Sequence, residues 1–385
     1  DNKSAEASLG RAEKFNQIFF NIRLLRSSSR NPTTTTTFNT MSRFVIAAAV
    51  AASTASATYN STEYADAFAD FKKTYGKTYE SDDEEQARLN IFAINMEKAD
   101  RLNEIGGASF GVTKFADMTA QEFKTYLNYL PSLTETDGEV ATPGLDATEA
   151  PANFDWREKE GVVSAVKDQG QCGSCWAYST TEAIESQWVL AGNDPAVLSA
   201  QQIISCDKNY GDEGCDGGDT LTAYKYVQHA GGLVTEKEYP ATSSESGRTG
   251  VCKRFSQPTL GKIDGHTFAT PGCTSGACNN QDEDKMVANV ATTGPASICV
   301  NAENWQLYNK GVMTGKHCGG HAADDLDHCV QVVGYNGYSQ DADDAYWIVR
   351  NSWNTDWGEK GYIYVELGDN ACGIANEATF PTIAK

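Results

Sequence analysis

Two cysteines three positions apart, Cys172 and Cys175, lie in the stretch DQGQCGSCWAYS. A C-x-x-C pair can be a redox couple, half of a zinc site, or a structural cysteine beside a nucleophilic one. Cys175 stands where a helix of about seventeen residues, CWAYSTTEAIESQWVLAG, is expected to begin, with its stop at Gly192. Free N–H groups and the helix dipole at such an end favour an anion, and the thiolate is the attacking form of cysteine. A thiol nucleophile also needs a base and a group that orients the base. The chain has five histidines, His229, His266, His317, His321 and His328. His328 opens the strand-like run HCVQVVGY, whose end can project a side chain into a cleft, and Asn351 follows the next such run in RNSWNTDWG. Spacing alone does not bring Cys175, His328 and Asn351 together, so all three readings stay open at this level.

The elements that must position these residues come from the rest of the chain. At 385 residues it is long for one domain and suits two units with flanking segments. Its net charge of −21 argues against nucleic acid as a partner, because phosphate binding needs clustered Lys and Arg. The charge is +4 over residues 1–57, −10 over 58–149 and −15 over 150–385. Residues 1–40, rich in Ser and Thr before the first methionine, are expected to be a non-native or disordered leader. Residues 41–57 have a signal-peptide layout: Arg43, the apolar run FVIAAAVAA, then Ala55-Ser56-Ala57. That run is far shorter than the roughly 20 residues a membrane span requires. The eleven cysteines all follow residue 171. In an oxidising compartment they should pair, and an odd number leaves one thiol over.

Residues 62–128 read as helical. Tyr64, Ala67, Phe68 and Phe71 share one helical face, and after SDDEE a second helix should reach about Glu104 with Leu89, Phe92, Met96, Ala99 and Leu102 inward. Glu84 and Arg88, four apart on that helix, are placed to pair. Residues 131–149 lack apolar periodicity and read as an exposed linker open to cleavage. From residue 150 to 385 the long helix is followed by strand-like runs, PASICVNA, HCVQVVGY, AYWIVRNSW and GYIYVEL. The pattern predicts an α+β unit of two lobes with a site between them.

QGQCGSCW, LDHCVQVVGY and RNSWNTDWGEKGY resemble the three signature blocks of papain-like cysteine proteases, in order and nearly end to end over 150–385. Residues 58–130 are similar to the inhibitory prosegment of the cathepsin L-like branch. Its helix motif is matched by Glu84, Arg88, Phe92, Asn95 and Asn103, with Ala99 in place of isoleucine. Its second motif is matched by Gly111, Phe115 and Asp117, with Thr113 in place of asparagine. Both departures are expected to loosen the prosegment. The resemblance implies a papain-like two-lobe α+β fold, a helical left lobe and a β-barrel-like right lobe flanking the cleft, preceded by a helical inhibitory prodomain.

It also implies roles. Cys175 is the nucleophile, His328 the proton acceptor and donor, and Asn351 the residue that orients His328. Trp353 shields that hydrogen bond, and Gln169 donates to the oxyanion together with the Cys175 N–H. Gly173, Gly217 and Gly218 make room for a substrate backbone, and Asp327 precedes the catalytic histidine. Asp219, Thr220, Cys299, Cys329 and Glu377 line the pocket for the second residue before the cut. The family's bridges fall on Cys172–Cys215, Cys206–Cys252 and Cys318–Cys372. Cys273–Cys278, enclosing a short loop, and Cys299–Cys329, on strands expected to be neighbours, are two further expected bridges, which leave Cys175 free.

Other readings are weighed against this one. In KHCGGHAADDLDHC, His317, Cys318, His321 and His328 have zinc-like spacing, but the resemblance claims Cys318 and His328, so no metal or cofactor is expected. A histidine-bearing loop can cap a cleft in an exopeptidase, yet the family's capping loop sits elsewhere, which favours an endopeptidase. An inactive homologue is disfavoured because Gln169, Cys175, His328 and Asn351 are all present, and an acyltransferase is separable by product analysis with an amine acceptor. Asn60-Ser61-Thr62 is a glycosylation sequon, residues 341–344 a solvated acidic turn, and Trp188 and Trp305 packing residues. The expected protein is a monomeric endopeptidase zymogen of the secretory pathway, lysosomal, vacuolar or extracellular. It is activated by acid as prosegment carboxylates such as Glu84 and Asp117 lose their ion pairs, with the mature chain starting between Ala147 and Pro151. Its expected partners are polypeptide substrates, its own prosegment and cystatin-like inhibitors. Glu377 should give a hydrophobic preference with arginine tolerance that grows as pH rises.

Overall fold

The computed structural model describes residues 63–131, 138–254, 259–339 and 344–384. The expected leader, signal peptide and sequon lie outside the described residues, as do positions 341–343 of the acidic turn. Among the described residues the α-helices are α1 (Ala65–Tyr75), α2 (Asp82–Asn103), α3 (Ala120–Phe123), α4 (Cys175–Leu190), α5 (Ala200–Cys206), α6 (Thr220–Ala230), α7 (Thr242–Ser246) and α8 (Glu283–Thr293). The strands are β1 (Ala108–Phe110), β2 (Phe154–Asp155), β3 (Ile263–Phe268), β4 (Ala296–Val300), β5 (Tyr308–Met313), β6 (His328–Asn336), β7 (Tyr346–Arg350), β8 (Tyr362–Glu366) and β9 (Thr379–Ile383). No described helix is long and apolar enough to cross a membrane.

The helical head of the prosegment forms for local reasons. Ser81 caps α2 by accepting the Glu84 N–H at 3.2 Å, and four acidic residues fill its first turn, where they complement the helix dipole. Gly76, with φ of 62°, ends α1 in the left-handed conformation that glycine adopts without a Cβ penalty. Phe68, Phe71, Phe92, Met96, Ala99 and Leu102 are buried as the periodicity requires, while Ala67 is exposed. Asn95 donates to the carbonyls of Ala116 and Met118, both at 2.8 Å, and Asn103 holds both backbone groups of Phe110. Thr113, at the position where asparagine is usual, donates to the Gln306 carbonyl of the enzyme at 2.6 Å.

Two expectations about this region are corrected. Arg88 does not spend its guanidinium on Glu84. It reaches Glu122 at 2.9 Å and the Asp117 carbonyl at 3.0 Å, because the α2 face that carries it packs against α3. Glu84 instead accepts from the Glu80 N–H at 2.8 Å; among the described residues, the ion pairs within the prosegment are Arg88–Glu122, Lys77–Asp117 and Lys72–Glu85, and Lys114 pairs with Asp356 of the enzyme at 3.0 Å. The linker is not wholly free either. The Phe268 N–H donates to the Glu139 carbonyl and the Ala141 N–H to the Phe268 carbonyl, each at 2.8 Å, and Asn289 donates to the Ala141 carbonyl at 3.1 Å. β3 is an edge strand, and its open hydrogen-bonding groups recruit an extended neighbour whatever that neighbour's periodicity.

In the enzyme body one sheet runs β1-β5-β8-β7-β6-β4-β9-β3, with β2 paired to β6. The four strand-like runs become β4, β6, β7 and β8. The sheet takes a strand from the prosegment, since β1 pairs antiparallel with β5 at its edge. α4 packs against β6 and β9 on one side and α6 on the other. It is buried from Cys175 to Ser186 although it carries Ser, Thr and Glu. Thr180, Thr181 and Ser186 return their hydroxyls to carbonyls four residues back, while Glu182 faces Arg350 at 3.4 Å and Glu185 faces Lys167 at 2.6 Å. The hydroxyls and Glu185 are satisfied this way, whereas Glu182 keeps one buried oxygen without a partner and burial raises its carboxyl against the pull of Arg350.

Candidate active site

The N-terminus of α4 presents Cys175, fully buried and, among the described residues, the one free cysteine. The expected bridges Cys172–Cys215, Cys206–Cys252, Cys273–Cys278, Cys299–Cys329 and Cys318–Cys372 are all present. The opening residue of β6 is His328, and its Nε2 meets Asn351 Oδ1 at 2.9 Å, just past the end of β7. The Trp353 ring stacks on the imidazole with centroids 4.7 Å apart, and Trp305 stands edge-on to it at 5.9 Å. Asn351 Oδ1 also accepts the Ser352 N–H at 2.8 Å, which fixes the amide orientation and leaves the His328 Nε2 to donate. His328 Nδ1 has no hydrogen-bond partner, so the thiol is not yet bonded to the imidazole.

Gln169 is held from behind. Its Oε1 accepts from the Ser352 hydroxyl at 2.7 Å and the Trp353 indole at 3.2 Å, which turns its Nε2 toward the cleft. There it donates to the Tyr126 carbonyl of the prosegment at 2.9 Å and to the Cys172 carbonyl at 3.1 Å. Prosegment residues 124–130 lie along the cleft. The Leu130 N–H donates to the Gly218 carbonyl at 2.9 Å, the Gly218 N–H to the Asn128 carbonyl at 3.3 Å, and the Tyr129 N–H to the Asp327 carbonyl at 3.0 Å. Gly173 is required by this close approach: a Cβ there would lie 2.2 Å from the Asn128 side-chain nitrogen and 2.6 Å from the Cys215 carbonyl oxygen. Gly217, with φ of 129°, meets the Leu130 side chain in the same way.

The pocket residues Asp219, Thr220, Cys299, Cys329 and Glu377 are all buried, and Tyr129 fills the space between them. Its hydroxyl donates to Glu377 Oε2 at 2.6 Å, and Thr220 donates to Oε1 at 2.8 Å. Beside Tyr129 a cavity of about 350 Å³ is lined by Asn301, Glu303, Asp324, Asp325 and Asp327, with Lys124 as its cation. The other side chains of the zinc-like stretch are engaged separately: Cys318 in its disulfide, His317 Nδ1 with the Thr314 N–H at 3.0 Å and His321 with Asn279 at 3.0 Å. Trp305 is core, and Trp188 donates to the Asp194 carbonyl at 3.1 Å. Tyr126, Asn128, Tyr129, Glu122 and Ser352 contribute contacts that no local pattern in the sequence marks.

Electrostatics keep the site off. Burial pushes the Cys175 thiol up to about 12 and holds the His328 imidazole down to about 4, the latter despite the Asn351 bond. Under the prosegment, burial favours the neutral form of both groups. Burial also raises Asp327 to about 7, partly offset by the Ala302 N–H, and raises Glu377 well above the usual carboxyl range with help from the Asp219 charge.

A buried thiol at a helix start, an imidazole held by an amide and a backbone segment lying across both define a thiol hydrolase kept inactive by its own chain. Residues 150–382 match the papain family cysteine protease model and residues 68–123 the cathepsin propeptide inhibitor domain model. The chain is 37% identical over 316 residues to cathepsin L of Sarcophaga peregrina, covering 78% of this chain and 87% of that protein. It is 38% identical over 309 residues to the thiol protease aleurain of Arabidopsis thaliana, covering 78% and 80%. A solved digestive procathepsin L 3 from Tenebrio molitor larval midgut superposes with a TM-score of 0.68 at 32% identity, over 83% of this chain and 99% of that one. The chain belongs to the papain family of cysteine proteases. It is a cathepsin L-like cysteine endopeptidase zymogen whose propeptide domain inhibits it intramolecularly.

Proposed function

We propose that Cys175, His328, Asn351 and Gln169 carry peptide hydrolysis. The observation behind this is a peptide backbone lying in the cleft by the one unpaired thiol, its Tyr126 carbonyl on the Gln169 amide at 2.9 Å. When residues 124–130 leave, water reaches Cys175 and His328 and the burial that held both neutral is relieved. The thiol proton passes to His328 Nδ1, the free nitrogen. The thiolate adds to the substrate carbonyl carbon, and the oxyanion takes hydrogen bonds from Gln169 Nε2 and the Cys175 N–H. The intermediate collapses as His328 gives its proton to the leaving amine. Water, deprotonated by His328, then cleaves the thioester and restores the thiol. Asn351 holds the imidazole so that Nδ1 faces the thiol, and Trp353 excludes water from that bond.

The pocket around Glu377 selects the second residue before the cut. Its apolar wall, with the Cys299–Cys329 bridge in it, favours hydrophobic side chains, and an ionised Glu377 pairs with arginine as pH rises. An unchanged ratio of Arg to Leu cleavage in Glu377→Ala excludes that role. Acid drives activation by loosening the prosegment head, and cutting leaves a mature start between Ala147 and Pro151. The disulfides fit a secretory route to a lysosome, vacuole or the exterior, where a monomeric enzyme would meet cystatin-like inhibitors.

The test is a paired acidification of residues 58–385, wild type and Cys175→Ala, at about pH 4.5 with mild thiol, near the range where carboxyl groups titrate. Intact mass and hydrolysis of Phe-Arg and Leu-Arg amides are followed. Wild type alone should shorten near residue 150 and gain activity. Activity in Cys175→Ala removes Cys175 as nucleophile.

A further inference from the structure

Behind the glycine wall of the cleft lie two carboxyl groups that the chemistry above does not use. Asp207, just past α5, is 1% exposed, and neither of its carboxyl oxygens has a hydrogen-bond partner. Asp212 is 8% exposed; its Oδ1 accepts the Asp219 N–H at 2.9 Å and the Thr222 hydroxyl at 2.8 Å, while its Oδ2 is unpartnered. The two carboxyl groups lie within hydrogen-bonding reach of each other.

Among the described residues, none of the groups acting on them is a cation. The groups acting on Asp207 are its own burial and Asp212. Those acting on Asp212 are burial, Asp207, the Asp219 N–H and the Thr222 hydroxyl. From α6 the Tyr226 phenol also feels Asp207, and burial keeps it neutral. Two carboxylates this close in the interior do not both ionise, so one proton is shared between Asp207 and the free oxygen of Asp212. Burial, reinforced by Asp212, raises Asp207 to about 9, in keeping with that arrangement.

Asp212 sits directly beneath the cleft wall. A Cβ on Gly218 would lie 2.6 Å from Asp212 Oδ1 and 2.5 Å from the Trp176 ring, so the Gly218 backbone rests on both. Gly218 is the residue whose N–H and carbonyl bind the prosegment backbone, and its neighbour Asp219 hangs on Asp212 through its amide. We propose that Asp212, braced by a proton shared with Asp207, is a positioning residue for the Gly217–Gly218 wall, so that the grip on a substrate backbone depends on that proton. The proposal rests on the peptidase reading of the same cleft.

The sign follows from the balance of protons. While one proton is shared, Asp212 Oδ1 keeps the Asp219 amide and the wall stands. As pH rises and the proton leaves, two like charges push apart and the wall loses its support. The enzyme should therefore bind peptide backbones best in acid, through KM, while kcat reports on Cys175 and His328.

The experiment is initial-rate kinetics of the acid-activated enzyme on a Leu-Arg amide, from about pH 5 to 10, spanning an ordinary carboxyl and the raised one. Wild-type KM should rise at least about five-fold between about pH 8 and 10. Asp207→Asn replaces the shared proton with an amide hydrogen, and its KM should vary by no more than about two-fold over that range. A flat wild-type KM, or an Asp207→Asn KM that follows the wild-type rise, overturns the proposal. Infrared spectra of the Cys175→Ala zymogen, residues 58–385, give a readout that needs no turnover. A protonated-carboxyl band at neutral pH that is lost in Asp207→Asn supports the shared proton, and a band unchanged by the substitution overturns it. Absence of turnover at every pH sinks the peptidase reading instead, and the infrared result still decides the pair.

Discussion

The prosegment holds the enzyme in two regions that work by different physics. Its head docks through an apolar core and a shared sheet edge: Phe110 packs on Tyr308 and His317, and β1 pairs with β5. Its cleft segment, 124–130, is held by backbone hydrogen bonds, by the Asn128 amide on the Cys215 carbonyl at 3.2 Å and by Tyr129 in the Glu377 pocket. Acid acts on the two in opposite directions. In the head, burial raises the Glu122 carboxyl, but the Arg88 and Thr119 bonds outweigh it and hold it below its ordinary value. Burial holds His317 below its ordinary value, against the Leu102 and Thr314 bonds. A depressed carboxyl contributes stability above its unfolded pKa and loses it as pH falls. A depressed imidazole likewise stabilises only the neutral form, and acid below its ordinary range, about 6.5, removes that contribution. In the cleft Glu377 and Asp327 are raised, so their burial is easiest when protonated, in acid. Under the proposed acid activation, the head is the part that acid would loosen and the cleft segment the part that must be cut away.

The largest way to break this contrast is Phe92→Ala. Phe92 is fully buried against Phe68 and Phe71, and its loss should cost about 3–5 kcal/mol of head stability. Hydrogen exchange of the Cys175→Ala zymogen should show the head opening while α4 stays protected. Equal opening of both regions would mean that they unfold as one. Gln169→Ala tests the cleft alone: kcat of the mature enzyme should fall about 10²–10³-fold, with KM little changed. A fall in KM-controlled binding alone would move Gln169 from the oxyanion to the backbone grip.

His317→Asn sharpens the pH contrast. Asparagine can accept the Thr314 N–H but cannot take up a proton, so activation between about pH 5 and 6.5 should slow several-fold while mature kcat is unchanged. An unaltered activation profile removes His317 from the acid response. Tyr129→Phe should have the smallest effect. It deletes the hydroxyl on Glu377 at 2.6 Å and should weaken prosegment inhibition by about 1 kcal/mol, roughly five-fold, measured with prosegment peptide added to mature enzyme.

The chemistry-bearing residues were legible because they are marked by type and local order. Cys175 heads a helix, His328 opens a strand and Asn351 follows the next strand, and these local features survive folding unchanged. Periodicity placed the buried faces of α2 and the four central strands for the same reason. Ala67 misled because a small apolar residue on a helix costs little when exposed.

What the sequence by itself determined is the set of candidate reacting groups, the one thiol left over by an odd number of cysteines, and the division into a helical head and an α+β body. Those are properties of residue type, count and local period. Only the tertiary structure decided who meets whom across long separations: Arg88 with Glu122 rather than Glu84, residues 139–141 on the edge of β3, Tyr129 on Glu377, and Asp207 against Asp212. A side chain's partner is set by sheet order and by which faces pack, and an apolar period of 3.6 or 2 residues carries no record of either. Burial is the other tertiary effect, since cover by the prosegment favours the neutral form of both the Cys175 thiol and the His328 imidazole.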